Sequence, residues 1–272
     1  MKFKLFGPAL SNAVAHHHRL RKLIALPILA SDALSSVAYG TEQILLVLLL
    51  AGTSALSLSI PIALAVCILL IILGISYYQT IEAYPNGGGA FTVAHENLGV
   101  FPALLAATAL LIDYILTVAV SIAAGVFAIT SAFPQFAEYK ILICFIAILF
   151  ITFINLRGVK ESASFFAYPT YVFIFIIGIL ISFGIWHVLH HPIHPIILAS
   201  EPNFSWHQNT PLKTLSLYLI LSAFAQGCSA LTGIECISNA VPVFKKPEIA
   251  NARKTLIMMV TILAIMFLGI TY

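Results

Sequence analysis

Three carboxylates stand where a carboxylate is costly. Asp32 lies in ASDALSSVAYGTEQ, Asp113 in LLIDYILTVAVSIAAG and Glu235 in GCSALTGIE, each well inside an apolar run. No Lys or Arg occurs between Leu23 and Tyr139, so Asp32 and Asp113 have no basic partner nearby along the chain. If these runs cross a bilayer, an ionised Asp near a helix centre costs about 2.5–3.5 kcal/mol on insertion scales. Two of them cost about 5–7 kcal/mol, comparable with the stability of a whole domain. Something must neutralise them: a proton, a bound metal cation, or a basic group from another part of the protein. The first two imply ion handling.

The neighbours of each carboxylate are oxygen-bearing side chains at helical spacing. Asp32, Ser35, Ser36, Tyr39 and Gln43 share one helix face, and Asp113, Thr117 and Ser121 repeat every fourth residue. Ser229, Thr232 and Glu235 repeat every third. Hard alkali cations take oxygen ligands rather than thiol or imidazole. The plainer reading is that hydroxyls on membrane helices hydrogen-bond across packed interfaces. For Ser36, Thr117 or Ser121 taken singly, both readings stand. For the aspartates the functional one prevails, because intramembrane acids mark ion and substrate pathways by default. Glu42, near the outer end of the first apolar segment, reads as solvated.

The elements that would carry these residues are membrane helices. Hydrophobic residues make up 61% of the 272 and charged ones 8%, against about 45–50% and about 25% in a soluble domain. Mean hydropathy is +1.04. Apolar segments run over 23–51, 59–80, 101–132, 141–155, 165–189 and 212–240, and another opens near 254. The first is too long for a signal peptide and has no clear cleavage site, so it reads as a retained helix. Strands would need short alternating segments, which leaves helices as the spanning element. The seventh segment is still running at Tyr272, so the chain is expected to be a truncated product or a piece of something longer. The organisation expected is a cytoplasmic N-terminal segment over 1–22 and a transmembrane domain over 23–272.

Orientation follows from the basic residues. With the N-terminus in the cytoplasm, Lys2, Lys4, Arg19, Arg21, Lys22, Arg157, Lys160, Lys245, Lys246, Arg253 and Lys254 all fall inside, leaving Lys140 and Lys213 outside. The net charge of +3 is then a loop effect, with no bearing on nucleic acid.

Other chemical groups read as bystanders. Cys67, Cys144, Cys228 and Cys236 sit in apolar runs without metal-ligand spacing, as buried inert thiols do. His187, His190, His191 and His194 have helical ligand spacing, but Pro192 interrupts it, and no metal site is expected. His16 to His18 read as a headgroup contact. Gly87 to Gly89 are not followed by Gly-Lys-Ser/Thr, which excludes a phosphate cradle; a flexible cytoplasmic gate or hinge is expected there instead. Gly227 and Gly233 flank a polar run, and glycine costs a helix about 1 kcal/mol against alanine. An unwound centre is expected in the sixth segment, with close packing through small residues as the alternative. A similar interruptible centre is expected at Ser31 to Tyr39. Two such helices five segments apart suggest inverted five-helix repeats with a site at the membrane midplane.

The strings ASDALSSVAYGTEQIL, YPNGGGA, DYILTVAVSIAAG, NLRGVKESAS and GCSALTGIECISNAVPVFKKP carry a resemblance that runs from about residue 20 to the end. The sequence resembles the KimA-type potassium importers of the amino acid–polyamine–organocation superfamily. The resemblance implies an all-α membrane protein with a LeuT-like fold: the first five-helix repeat, helix 6 and the start of helix 7. It implies proton-coupled potassium uptake, with no bound cofactor. It assigns ion ligands to Asp32 and Tyr39 in the first helix, to Asp113, Tyr114, Thr117 and Ser121 in the third, and to Thr232 and Glu235 in the sixth. Glu235 is the candidate for the coupled proton, since a carboxyl group withdrawn from water holds a proton more readily. Potassium, protons and membrane lipids are the implied partners, with a homodimer for the full-length protein and no nucleic acid. The implied location is the bacterial inner membrane. The second repeat, its ligands and a cytoplasmic C-terminal domain are largely missing from this chain.

The alternative is an amino acid or polyamine permease of the same superfamily. Amino acid carriers of this fold usually break the first helix at glycines whose amides hold the substrate carboxylate. Here the region reads D-A-L-S-S, and Asp32 would repel an anion. An intramembrane aspartyl protease is excluded, because its Y-D and G-x-G-D strings are absent.

Overall fold

The computed structural model describes residues 19–20, 22–156, 159–190 and 215–272. Lys2, Lys4, His16 to His18, Arg21, Arg157, His191, His194 and Lys213 lie outside the described residues. The first span is two helices, α1 (Lys22–Leu29) and α2 (Ser31–Leu49). The second is α3 (Ser59–Ala83), entered through a 3-10 turn at Thr53–Leu58. A short α4 (Ala90–Leu98) precedes the third span, α5 (Val100–Ala132), and the fourth and fifth are α6 (Lys140–Asn155) and α7 (Val159–His190). The sixth is again divided, into α8 (Leu217–Gly227), a 3-10 turn at Cys228–Leu231 and α9 (Cys236–Asn239). The seventh is α10 (Glu248–Thr271). Every apolar segment marked in the sequence is thus helical, and six of the spans are long and apolar enough to cross a membrane uninterrupted in composition.

The buried core sits between spans 1, 2, 6 and 7. Val37, Ile44 and Leu48 of α2, Val66 and Leu70 of α3, Ala223 of α8 and Met259, Leu263 and Phe267 of α10 interlock there. In lipid such packing depends on close van der Waals fit rather than on exclusion of water, and α2 meets the sixth span where Gly40 faces Ala230. Spans 3, 4 and 5 present most of their apolar side chains outward, as lipid-facing helices do. Span 5 returns to the core by packing α7 on α1.

Both interrupted spans are present, but the first breaks earlier than the sequence suggests. The residues from Ser31 to Tyr39 are helical, and the interruption is at Ala30 (φ −110°, ψ −3°), one turn after Pro27. Pro27 has no N–H to donate. The serines that looked like helix breakers fold back onto their own helix: the Ser35 and Ser36 hydroxyls donate to the Asp32 carbonyl at 2.8 and 2.9 Å. In the sixth span the helix ends at Gly227, Thr232 is extended, and Gly233 takes a left-handed φ of +80°.

The Gly87 to Gly89 segment is no open loop. Its Gly88 N–H donates to the Ser238 carbonyl at 3.2 Å, and a β-carbon at Gly89 would stand 2.1 Å from Oδ1 of Asn239. The glycines let this turn lie flush on the end of the sixth span, and the chain then enters α4, which packs along α5. The expected hinge is a docked turn followed by a helix.

The same end of the bundle gathers the basic residues. Leu20 pairs with the strand-like Val243–Lys245 segment, with its N–H on Val243 at 2.8 Å and its carbonyl receiving Lys245 N–H at 3.0 Å. Arg19 forms an ion pair with Glu248, and Arg253 with Glu82. Arg253 also donates to the Tyr78 carbonyl at 3.1 Å and stacks 4.0 Å from the Tyr78 ring centroid. Lys140 lies at the opposite end, over the Phe127 ring.

Candidate functional site

Asp32 is placed by the first interruption. It stands in the first turn of α2, where the helix dipole favours a negative charge. The sixth span closes on it from the other side: a β-carbon at Gly233 would lie 2.9 Å from Oδ2 of Asp32 and 3.3 Å from the Ala33 nitrogen. Only a glycine lets the unwound stretch come this near the carboxylate. The two broken helices therefore meet at Asp32.

A cavity of about 630 Å³ opens beside this meeting point. Asp32 lines it, together with Ser31 and Ser35 from the first span and Tyr114, Thr117 and Ser121 from α5. Thr170 of α7 and Cys236 of the sixth span also reach it. Ser121 Oγ is shielded from solvent and has no hydrogen-bond partner among the described residues. The cavity is lined mainly by apolar groups, with oxygens converging on one wall, which is the usual form of a small-ligand site.

Behind this wall Tyr39 and Thr232 belong to a closed hydroxyl cluster. Ser36 Oγ lies 2.8 Å from the Tyr39 hydroxyl and 3.1 Å from Thr232 Oγ1. Glu235 is 6% exposed and its Oε1 has no hydrogen-bond partner among the described residues. Its carboxyl faces the Tyr114 phenol and lies within electrostatic reach of Asp32 and Asp113. Asp113 is half-buried, one turn along α5 from Thr117, and does not line the cavity itself. Among the described residues the ion pairs are Arg19–Glu248 and Arg253–Glu82, so none of the three intramembrane acids is held by a basic side chain there.

The residues singled out in the sequence thus fall into one region, in three layers. Asp32, Tyr114, Thr117 and Ser121 face the cavity; Tyr39 and Thr232 are linked through Ser36; Glu235 and Asp113 supply charge from the side of Tyr114. Sequence reasoning missed the contribution of the fifth span. Thr170 follows Pro169 within the apolar segment of that helix, and a proline-adjacent hydroxyl was the available signal. A second cavity of about 410 Å³ lies between the glycine turn, Asn239 and α5, and Tyr114 lines both.

Residues 28–272 match the family model described as an amino acid permease. The chain belongs to the amino acid permease family. Its all-helical order, with the first and sixth spans interrupted, is the LeuT-like fold that membership implies, and a permease-family chain is a multi-pass membrane protein and no enzyme. This permease is also similar to potassium transporter KimA of Bacillus subtilis (strain 168), at 51% identity over 267 residues. That alignment covers 98% of this chain and 43% of the relative, so the permease described here spans about two-fifths of the relative's length.

Proposed function

We propose that this chain forms part of a secondary active transporter of the bacterial inner membrane that takes up potassium together with protons. The site is the midplane region between spans 1, 3 and 6. One observation carries the reading: Asp32 opens onto a cavity with neutral oxygens on one wall, Asp113 and Glu235 stand behind it within electrostatic reach, and no basic side chain among the described residues neutralises the three. A monovalent cation attracted by this charge would find oxygen ligands in Asp32, Tyr39, Asp113, Tyr114, Thr117, Ser121, Thr232 and Glu235. Similarity to a relative named as a potassium transporter supports potassium as that cation.

Glu235 is the proposed carrier of the coupled proton. It is buried, has one carboxylate oxygen without a hydrogen-bond partner among the described residues, and sits against the Tyr114 phenol and other acids. A proton there removes one of three mutually repelling charges and supplies a donor. The N-terminus is proposed to be cytoplasmic, since Arg19, Lys245 and Arg253 share one end of the bundle. The full-length protein is proposed to be a homodimer.

The family description favours an amino acid as the alternative substrate. The charge of the site opposes it, because Asp32 stands where a substrate carboxylate would approach. Potassium uptake by the full-length protein in cells lacking other potassium importers decides between them. Asp32→Asn and Asp113→Asn are each expected to abolish growth at limiting potassium, and Glu235→Gln to remove the dependence of uptake on the proton gradient. Uptake retained in both aspartate variants ends the potassium reading, and competition by amino acids replaces it with the alternative.

A further inference from the structure

Ser36 has no place among the ligands proposed above, yet it is the most connected polar side chain between the two broken spans. It is 0% exposed. Its Oγ lies 2.9 Å from the Asp32 carbonyl, 2.8 Å from the Tyr39 hydroxyl and 3.1 Å from Thr232 Oγ1. Thr232 Oγ1 in turn lies 3.0 Å from the Ser229 carbonyl.

Proton counting shows which contacts the hydroxyls of this cluster can make together. A hydroxyl carries one proton and two lone pairs, and a carbonyl carries lone pairs only. Ser36, Tyr39 and Thr232 therefore bring three protons to four short contacts. If Ser36 donates to the Asp32 carbonyl, Thr232 to the Ser229 carbonyl and Tyr39 to Ser36, then Ser36 and Thr232 face each other with lone pairs across 3.1 Å. Turning Ser36 onto Thr232 removes that opposition and leaves neither carbonyl bare. The Asp32 carbonyl also accepts from the Ser35 hydroxyl at 2.8 Å, and the Ser229 carbonyl from the Thr232 N–H at 3.4 Å. The carbonyls have donors of their own, so the Ser36 hydroxyl can bridge Tyr39 and Thr232, and the junction is built from both broken spans.

We propose that Ser36 is a positioning residue that sets cation specificity: it holds the Tyr39 and Thr232 oxygens, both proposed above as cation ligands, at a set spacing across the two broken spans. The proposal rests on the potassium reading of the site. Discrimination among hard cations depends on the number, spacing and rigidity of the oxygens offered. Ser36 controls spacing and rigidity for two of them, and it does so from a position braced against its own helix carbonyl. Ser36 in a purely structural role would act as an ordinary interhelical hydrogen bond, and its removal would lower stability without changing which ion is chosen.

The test is cation uptake by the full-length protein in proteoliposomes. Ser36→Ala is expected to raise the KM for potassium about tenfold, with the maximal rate held within about twofold. It is also expected to narrow the preference for potassium over sodium. Ser36→Cys, which keeps the volume and a weak donor, is expected to raise KM about threefold, and it carries the test if Ser36→Ala does not insert. Tyr39→Phe should raise KM similarly, and the Ser36→Ala/Tyr39→Phe double variant no further than the worse single one, because the two act as a unit. Unchanged KM and selectivity, or fully additive effects, overturn the role of Ser36. Wild type and Asp32→Asn in the same vesicles keep the two levels apart. Wild-type uptake abolished by Asp32→Asn beside a silent Ser36→Ala overturns this proposal alone. A wild type that moves no potassium overturns the reading beneath it.

Discussion

At position 233 a hydrogen atom takes the place that a methyl group would otherwise occupy against the Asp32 carboxylate. The φ of +80° there is open to glycine and strained for any other residue, at about 1–2 kcal/mol for a side chain bearing a β-carbon. The added carbon would also meet Oδ2 of Asp32 at 2.9 Å. Gly233→Ala is therefore expected to cost about 1–2 kcal/mol of stability, with a lower apparent affinity for potassium because Asp32 is pushed aside. Unfolding in detergent and the KM of the full-length protein measure the two effects. An alanine variant with wild-type values for both would mean that the turn relaxes away from the carboxylate. Asp32 itself shows how local structure tempers a costly residue: its charge is set at the start of α2, where unpaired peptide N–H groups reduce the penalty without supplying a full counter-charge.

Among the elements, the glycine turn and the sixth span behave as one unit. Gly89 accommodates Oδ1 of Asn239 where a β-carbon would be 2.1 Å away, and Gly88 holds the Ser238 carbonyl. The turn thus fastens the C-terminal half of span 6 to the entry of span 3, and Tyr114 of span 3 stands between the two cavities. Gly89→Ala is expected to separate the turn from Asn239, with a loss of about 1 kcal/mol or more of contact and about a fivefold drop in transport. Uptake and protease sensitivity of the 84–99 segment report it together. Gly99→Ala is the control: nothing lies within 4 Å of a β-carbon there, although φ of +92° still strains it, so it reports backbone strain without the Asn239 contact.

For the whole molecule, the pairing of Leu20 with the segment before span 7 puts both on one side of the membrane. The ion pairs of Arg19 and Arg253 add to the same end. If that end is cytoplasmic, a thiol introduced as Lys246→Cys is labelled by an impermeant maleimide only in opened cells, whereas Lys140→Cys is labelled in intact ones. The reverse pattern would invert the orientation. The four native cysteines are replaced in this background, since Cys144, Cys228 and Cys236 are only partly buried.

Much of this protein was legible without coordinates, for reasons that belong to the bilayer. A solvent that cannot hydrogen-bond the backbone leaves helices as the way across, so length and hydropathy alone placed α3, α5 and α6 close to their observed limits. By contrast, α7 and α10 start earlier than their apolar segments, in polar first turns that hydropathy passes over. The same solvent makes an acid conspicuous, and Asp32, Asp113 and Glu235 stood out for that reason. Glycine and polar residues together also marked the break in span 6. What the one-dimensional pattern left undecided was how polar groups satisfy one another. The polar stretch from Ser31 to Tyr39 reads as an interruptible centre in a string, yet Ser35 and Ser36 bond back to the Asp32 carbonyl, α2 stays intact and the interruption falls at Ala30. The glycine run reads as slack until Asn239 is seen filling it. The contacts of Ser36 with Thr232, and of Gly233 with Asp32, join residues about 200 positions apart. Helix formation in a membrane is a local decision, dictated residue by residue by the medium. The pairing of lone pairs and charges between spans is not local, and packing alone decides it.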